Sequence, residues 1–179
     1  TEKVLYSFQN DTTDGANPLR ENLVFDAKGN LYGTTNAGGA SGLGTVFELV
    51  AGTGGTWTQK VLYSFQNNSL DGINPVAGVV FDAAGNLYGA TAAGGANGYG
   101  TVFELAGGSG GTWTYKVLHT FAINGVDGAE PQGGLLLDAR GNIFGTTYYG
   151  GNYGQGLHLG TVFELSPIGG AWVEQILYN

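Results

Sequence analysis

The 179-residue chain carries six Lys and Arg against 14 Asp and Glu, a formal net charge of −8, which excludes the cationic footprint that nucleic acid demands. Cys is absent, so there is no disulfide framework, no thiol chemistry and no Cys-ligated zinc, and no run is apolar enough for a membrane-spanning helix. Gly accounts for 35 residues, yet aromatic and β-branched residues are plentiful, which marks a turn-rich β protein rather than a disordered tract.

Met is absent too, and the expectation is a chain that begins after processing or as an excised piece; no signal peptide is visible. Few charges with an acidic balance read as a solubility setting. Together with the missing Cys, this fits an extracellular or cell-surface location.

TEKVLYSF (1–8) opens the chain with strand composition and is expected to be an additional outer strand. The polar connection NDTTDGANP (10–18) leads to LVFD (23–26), the turn AKGN and LYGTT (31–35). A Gly-rich stretch, NAGGASGLG, then reaches TVFELV (45–50), and AGTGG leads to WTQKVLYSF (57–65). These four apolar segments are strands A, B, C and D of a unit that recurs twice. Phe25, Phe81 and Leu137 stand 56 residues apart, and a fixed period of this length is the mark of a repeat architecture. One repeat domain is expected over 1–179, with repeats near 9–65, 66–121 and 122–179. No helical periodicity appears, because Gly interrupts every window.

In FDAKGNLYGTT (25–35) and its two copies, the D-A-x-G-N stretch predicts a type I turn closed by a residue at positive φ. Gly29, Gly85 and Gly141 suit that position. Asp26, Asp82 and Asp138 are expected to accept backbone N–H groups across the turn.

Four strands per unit of this length predict β-propeller blades. The string D-x-x-G-N-L-Y-G-T-T resembles the blade hairpin of propeller repeats in two-component sensor proteins, which carry Trp where Tyr32 and Tyr88 stand. The fuller pattern runs D-G-x-N-P, V-F-D-A-x-G-N-L-Y-G-T-T, then G-G-A-x-G-x-G-T-V-F-E-L. It looks like the GloVer-type tandem repeat of bacterial surface proteins and covers essentially the whole chain. The resemblance implies blade-like units and carries no catalytic assignment. The alternative fold is a β-trefoil, which also has three units of four strands.

Propellers typically hold four to eight blades, so three units and their exposed edges point to self-association. Two copies would complete a six-bladed ring and three a nine-bladed one; the other reading is a cut from a longer array. The short A–B and C–D turns fall on one face of such a ring. The longer B–C and D–A loops fall on the other, which is the expected binding face.

The third B–C loop, YYGGNYGQGLHLG, exceeds its counterparts by four residues. It brings Tyr148, Tyr149, Tyr153, Gln155 and His158, aromatic and polar groups that suit a glycan; packing or a contact to a neighbouring chain is the other reading. Asp14, Asp71 and Asp127 each precede Gly in the D–A loops, where they read as turn residues or, as oxygen donors, as calcium ligands. No other cofactor is expected. Glu48, Glu104 and Glu164 follow TVF in strand C and read as a solvent face or a ring of acids around an axis. Trp57, Trp113 and Trp172 open each strand D and read as packing between sheets, with sugar stacking as the alternative. His119 stands where Tyr6, Tyr63 and Tyr178 recur and reads as a surface or seam substitution rather than a ligand, since no second His or paired carboxylate is near it in sequence. No nucleophile elbow, zinc motif or phosphate loop is present. The expected function is therefore a non-catalytic binding or scaffold module that self-associates, with a polysaccharide-active enzyme or a purely structural assembling unit as alternatives.

Overall fold

The computed structural model describes residues 2–19, 22–66, 68–152 and 159–179. It is all-β, built of antiparallel sheets, with single 3₁₀ turns at Thr53–Gly55 and Ser109–Gly111. The first unit contains β1 (Gly15–Ala16), β2 (Val24–Phe25), β3 (Leu31–Thr35), β4 (Ala37–Gly38), β5 (Thr45–Ala51) and β6 (Trp57–Ser64). The second contains β7 (Gly72–Pro75), β8 (Val80–Phe81), β9 (Leu87–Gly94), β10 (Thr101–Gly107) and β11 (Trp113–Thr120). The third contains β12 (Gly128–Pro131), β13 (Leu136–Leu137), β14 (Ile143–Gly150), β15 (Val162–Ile168) and β16 (Ala171–Tyr178). In each unit four strands run as an antiparallel meander, β2-β3-β5-β6 being the simplest case.

The D-A-x-G-N turn forms as its residues dictate. Gly29 N–H donates to the Asp26 carbonyl at 3.1 Å, and Gly29 sits at φ 84°. Asp26 Oδ1 accepts the amides of Lys28 and Asn30 at 2.8 and 2.9 Å. The same contacts recur around Asp82 and Asp138.

Burial raises the carboxyl pKa of Asp82, but the Asn86 amide and side chain, the Tyr88 hydroxyl and the Ala84 amide outweigh it. The net direction is downward from 3.8, as it also is for Asp26 and Asp138. A depressed native pKa adds stability above the unfolded value and loses it as pH falls through the native one. The urea midpoint is therefore expected to drop as the pH falls from about 5 to below about 3. Asp82→Asn is expected to shrink that drop by removing one of the three titrating hairpins.

A β-bulge in each C–D pair sets which side chains reach the neighbouring sheet. Val46 pairs with Tyr63 and Phe47 with Val61, so Leu62 is the extra residue. The same slip brings His119 opposite Val102 and Tyr178 opposite Val162. Bulges re-aim side chains in this way.

The sheets pack face to face. One face of each presents Phe and Leu from strand C, and the other presents Val and the aromatic of strand B. Between units one and two, Tyr32 meets Phe81 at 5.0 Å and Trp113 at 6.4 Å, while Phe65 meets Phe103 at 5.4 Å. Between units two and three, Tyr88 meets Trp172 at 6.5 Å and Phe121 meets Phe163 at 5.2 Å. Trp113 and Trp172 thus pack between sheets, while Trp57 packs on Leu31, Phe47 and Leu49 of its own unit. Backbone bonds cross both seams: Asn74 N–H donates to the Leu43 carbonyl and Glu130 N–H to the Tyr99 carbonyl. Innermost, a groove of about 380 Å³ is lined by Asn22 and Val24, by 76–80, and by Gln132 and 134–136. It therefore draws on all three units.

Four sequence expectations need correction. Among the described residues the sheets do not close into a barrel, so the trefoil alternative is not the fold. Residues 2–8 form no strand, because no strand C lies beside them to complete a ladder. They pack instead through Tyr6 and Phe8 on Leu31, Phe47 and Leu49, the cluster that Trp57 also covers. The D-G-x-x-P stretches are more than turns. They form β1, β7 and β12; β7 and β12 pair with the far ends of strands B, and β1 with β4. Finally, Tyr148 and Tyr149 lie on strand β14 rather than in a loop.

Candidate functional site

The D–A connections hold the units together, and one Asp in each is the hub. In the second unit Asn68 Oδ1 accepts the amides of Leu70 and Asp71, which curls the loop and presents Asp71 inward. Asp71 is 3% exposed. Its Oδ2 accepts the Tyr63 hydroxyl at 2.7 Å and the Gln66 amide at 2.8 Å. Its main-chain carbonyl accepts the Gly95 amide at 2.6 Å. One residue thus ties the preceding strand D to the B–C loop of its own unit.

Asp14 repeats this arrangement with the Tyr6 hydroxyl and the Gln9 amide, both at 2.8 Å. Burial, then the bond to Asp14, pushes the Tyr6 hydroxyl up to about 12. Burial and the bond to Asp71 push Tyr63 in the same direction. Both phenols therefore stay protonated and donate across the neutral range.

The face of the following sheet closes each hub. Opposite Leu49, Leu105 and Leu165, the register places Gln59, Tyr115 and Glu174. Tyr115 stacks flat on Tyr63, with ring centroids 4.2 Å apart and an interplanar angle of 5°.

The third seam departs from the first two. His119 replaces the Tyr, and Glu174 stands where Gln59 and Tyr115 stand elsewhere. His119 Nε2 lies 3.4 Å from Asp127 Oδ1 and 3.6 Å from Glu174 Oε1. The side chains of His119, Asp127 and Glu174 are 19%, 10% and 14% exposed. Asp127 Oδ2 accepts the Ala122 amide at 2.9 Å, and the His119 ring is braced edge-on by Phe121. Burial pushes the Glu174 carboxyl up to about 7; His119 opposes this and Asp127 reinforces it.

The candidate residues from the sequence do not form one site. Asp14, Asp71 and Asp127 lie one per unit, and the first two carboxylates are taken up by Tyr hydroxyls and amides. Tyr148 and Tyr149 are exposed and meet edge to face at 4.5 Å. Tyr153, Gln155 and His158 lie outside the described residues. Glu48 is buried against its own sheet, where it accepts from Asn30 Nδ2 and the Tyr32 hydroxyl. His119 is more than a seam substitution: with Asp127 and Glu174 it is the convergent set of potential metal ligands among the described residues. The recurrence of Tyr at its position was the visible signal; Glu174, 55 residues further on, carried none.

No curated protein and no solved structure matches the chain. The sequence model of the Gloeobacter/Verrucomicrobia repeat matches residues 1–179, and the chain belongs to that repeat family.

Proposed function

We propose that the chain is a scaffold module that assembles by docking the open face of its third sheet onto the first unit of a second copy. The observation that carries this reading is a difference in burial at equivalent positions. Val46 and Val102 are fully buried by the sheet that follows them, whereas Val162 is 37% exposed. Leu136 and Tyr178 on the same side are 70% and 72% exposed. A contiguous apolar face of this kind marks an interaction surface.

The occupant follows from the two seams inside the chain. Each buries such a face under the Phe, Leu and Trp of the next unit's strands C and D, and the first unit carries that set as Phe47, Leu49 and Trp57. Residues 2–8 already lay Tyr6 and Phe8 on this set, as the preceding strand D does at the inner seams. Tyr178 occupies the position of Tyr63, whose partner is an Asp of the next unit. Docking would therefore let Tyr178 take the place of Tyr6 on Asp14 of the second copy.

Light scattering coupled to size exclusion tests this directly. The expected result is a molar mass that rises with concentration, and Val162→Asp is expected to return the chain to a monomer while its circular dichroism stays unchanged. A wild-type mass equal to one chain at about 100 μM would overturn the proposal, since the affinity would then fall outside the range of specific interfaces.

A further inference from the structure

The seam between the second and third units holds a set of groups that the other two seams do not. Tyr6 and Gln59 belong to the first seam and Tyr63 and Tyr115 to the second, and both pairs are uncharged; the third has His119 and Glu174 around the same Asp. Packing does not require this exchange, because the Tyr-containing seams bury an equivalent core without it. The exchange places a second buried carboxylate beside Asp127, which is unfavourable unless a cation or a proton compensates.

The geometry has the form of a ligand set. The donor atoms of the three residues all lie within 4.8 Å of one another. His119 Nε2 is 3.4 and 3.6 Å from the two carboxylate oxygens. Ligands bound tetrahedrally at about 2.1 Å stand about 3.4 Å apart, so these separations suit a Zn²⁺-sized ion at the centre. Glu174 Oε1 is buried and makes no hydrogen bond, as Gln59 Nε2 and Asp71 Oδ1 make none at the other two seams, but at the third seam alone an imidazole nitrogen and a second acid face the unpaired oxygen. Asp127 is pre-oriented: the Ala122 amide holds Oδ2, so Oδ1 faces the cluster. Phe121 packs edge-on against the imidazole at 4.7 Å and restricts its rotation.

We propose that His119, Asp127 and Glu174 bind one divalent transition-metal ion of the Zn²⁺ class, which clamps the second unit to the third. His119 and Asp127 come from the second strand D and the connection that follows it. Glu174 comes from β16, the last strand of the third sheet. An ion held by all three ties that strand to the preceding unit. Mixed imidazole and carboxylate donors favour Zn²⁺ or Co²⁺ over Ca²⁺, which prefers oxygen donors alone.

The test uses the whole chain, stripped with chelator and titrated with ZnCl₂ alone by calorimetry and thermal melting. The expected result is one Zn²⁺ per chain and a Tm rise of about 5–10 °C at hundredfold excess over the dissociation constant. Co²⁺ is expected to give the strong visible absorption of a tetrahedral ion. The double substitution His119→Tyr with Glu174→Gln rebuilds the side chains of the first seam, so its fold has a precedent in this chain; it is expected to lose the Zn²⁺ heat and the Tm rise. Glu174→Gln alone, nearly isosteric, is expected to weaken binding at least about tenfold. Equal Zn²⁺ binding by wild type and either variant, no binding by wild type, or a response to Ca²⁺ alone would each overturn the proposal.

Discussion

Phe103→Ala is expected to lower the free energy of unfolding by about 3–5 kcal/mol, the range for truncating a fully buried aromatic. Phe103 has no exposed surface, and its ring meets Phe65 of the preceding unit and Tyr115 of its own strand D. Truncation opens a hole at the centre of the seam between the first and second units, where sheets packed on both sides restrict collapse. Gly89, directly opposite on β9, sharpens the prediction. A Cβ added there would lie 2.5 Å from the tip of the Phe103 ring, so Gly89→Ala alone is destabilising. In the Phe103→Ala background the added methyl group enters vacated space, and the two substitutions together should cost less than their sum by about 1 kcal/mol. Urea unfolding of the four proteins of this cycle measures the coupling, and strict additivity would show that the ring and the glycine are not in contact.

That contact explains a residue the sequence left without a role. Gly33, Gly89 and Gly145 recur in every L-Y-G or I-F-G stretch, and each sits opposite the Phe of strand C. The turn glycines were legible because their reason is local: four residues and a positive φ. The strand glycines were not, because their reason lies across the ladder, 14 to 18 residues away. Strands B, C and D were legible from composition and period, and their starts hold to within about a residue, but strand B of the second and third units runs on to Gly94 and Gly150, into what read as the B–C loop. Residues 2–8 show the limit of that reasoning. Their composition is that of strand D, but a strand also needs a neighbour, and composition does not supply one. The D-G-x-x-P stretches erred the other way. Their turn residues are real, with Asn17, Asn74 and Glu130 at positive φ, yet the same residues continue into short ladders. The third-seam cluster depends on how one sheet lies on the next, and no spacing within the chain encodes that.

Asp71→Ala is expected to cost about 3 kcal/mol, because two bonds to a buried carboxylate are lost and the Gln66 amide is left without its acceptor. Tyr63→Phe should cost about 1 kcal/mol, since it removes one of those bonds and keeps the ring stacked on Tyr115. The equivalent substitution at the third seam provides the contrast. Asp127→Ala also loses a backbone bond, that from the Ala122 amide. It simultaneously relieves the like charge that Asp127 presents to Glu174, and His119 can still pair with the remaining carboxylate at 3.6 Å. Measured in chelator, Asp127→Ala is therefore expected to cost at least about 1 kcal/mol less than Asp71→Ala. With Zn²⁺ present the order should reverse, because the same substitution then removes a ligand. Chemical denaturation in both conditions reads the two orders. If Asp127→Ala were the more costly change without metal as well, the two carboxylates would not be in conflict, and the third seam would be an ordinary ion pair between His119 and its acids.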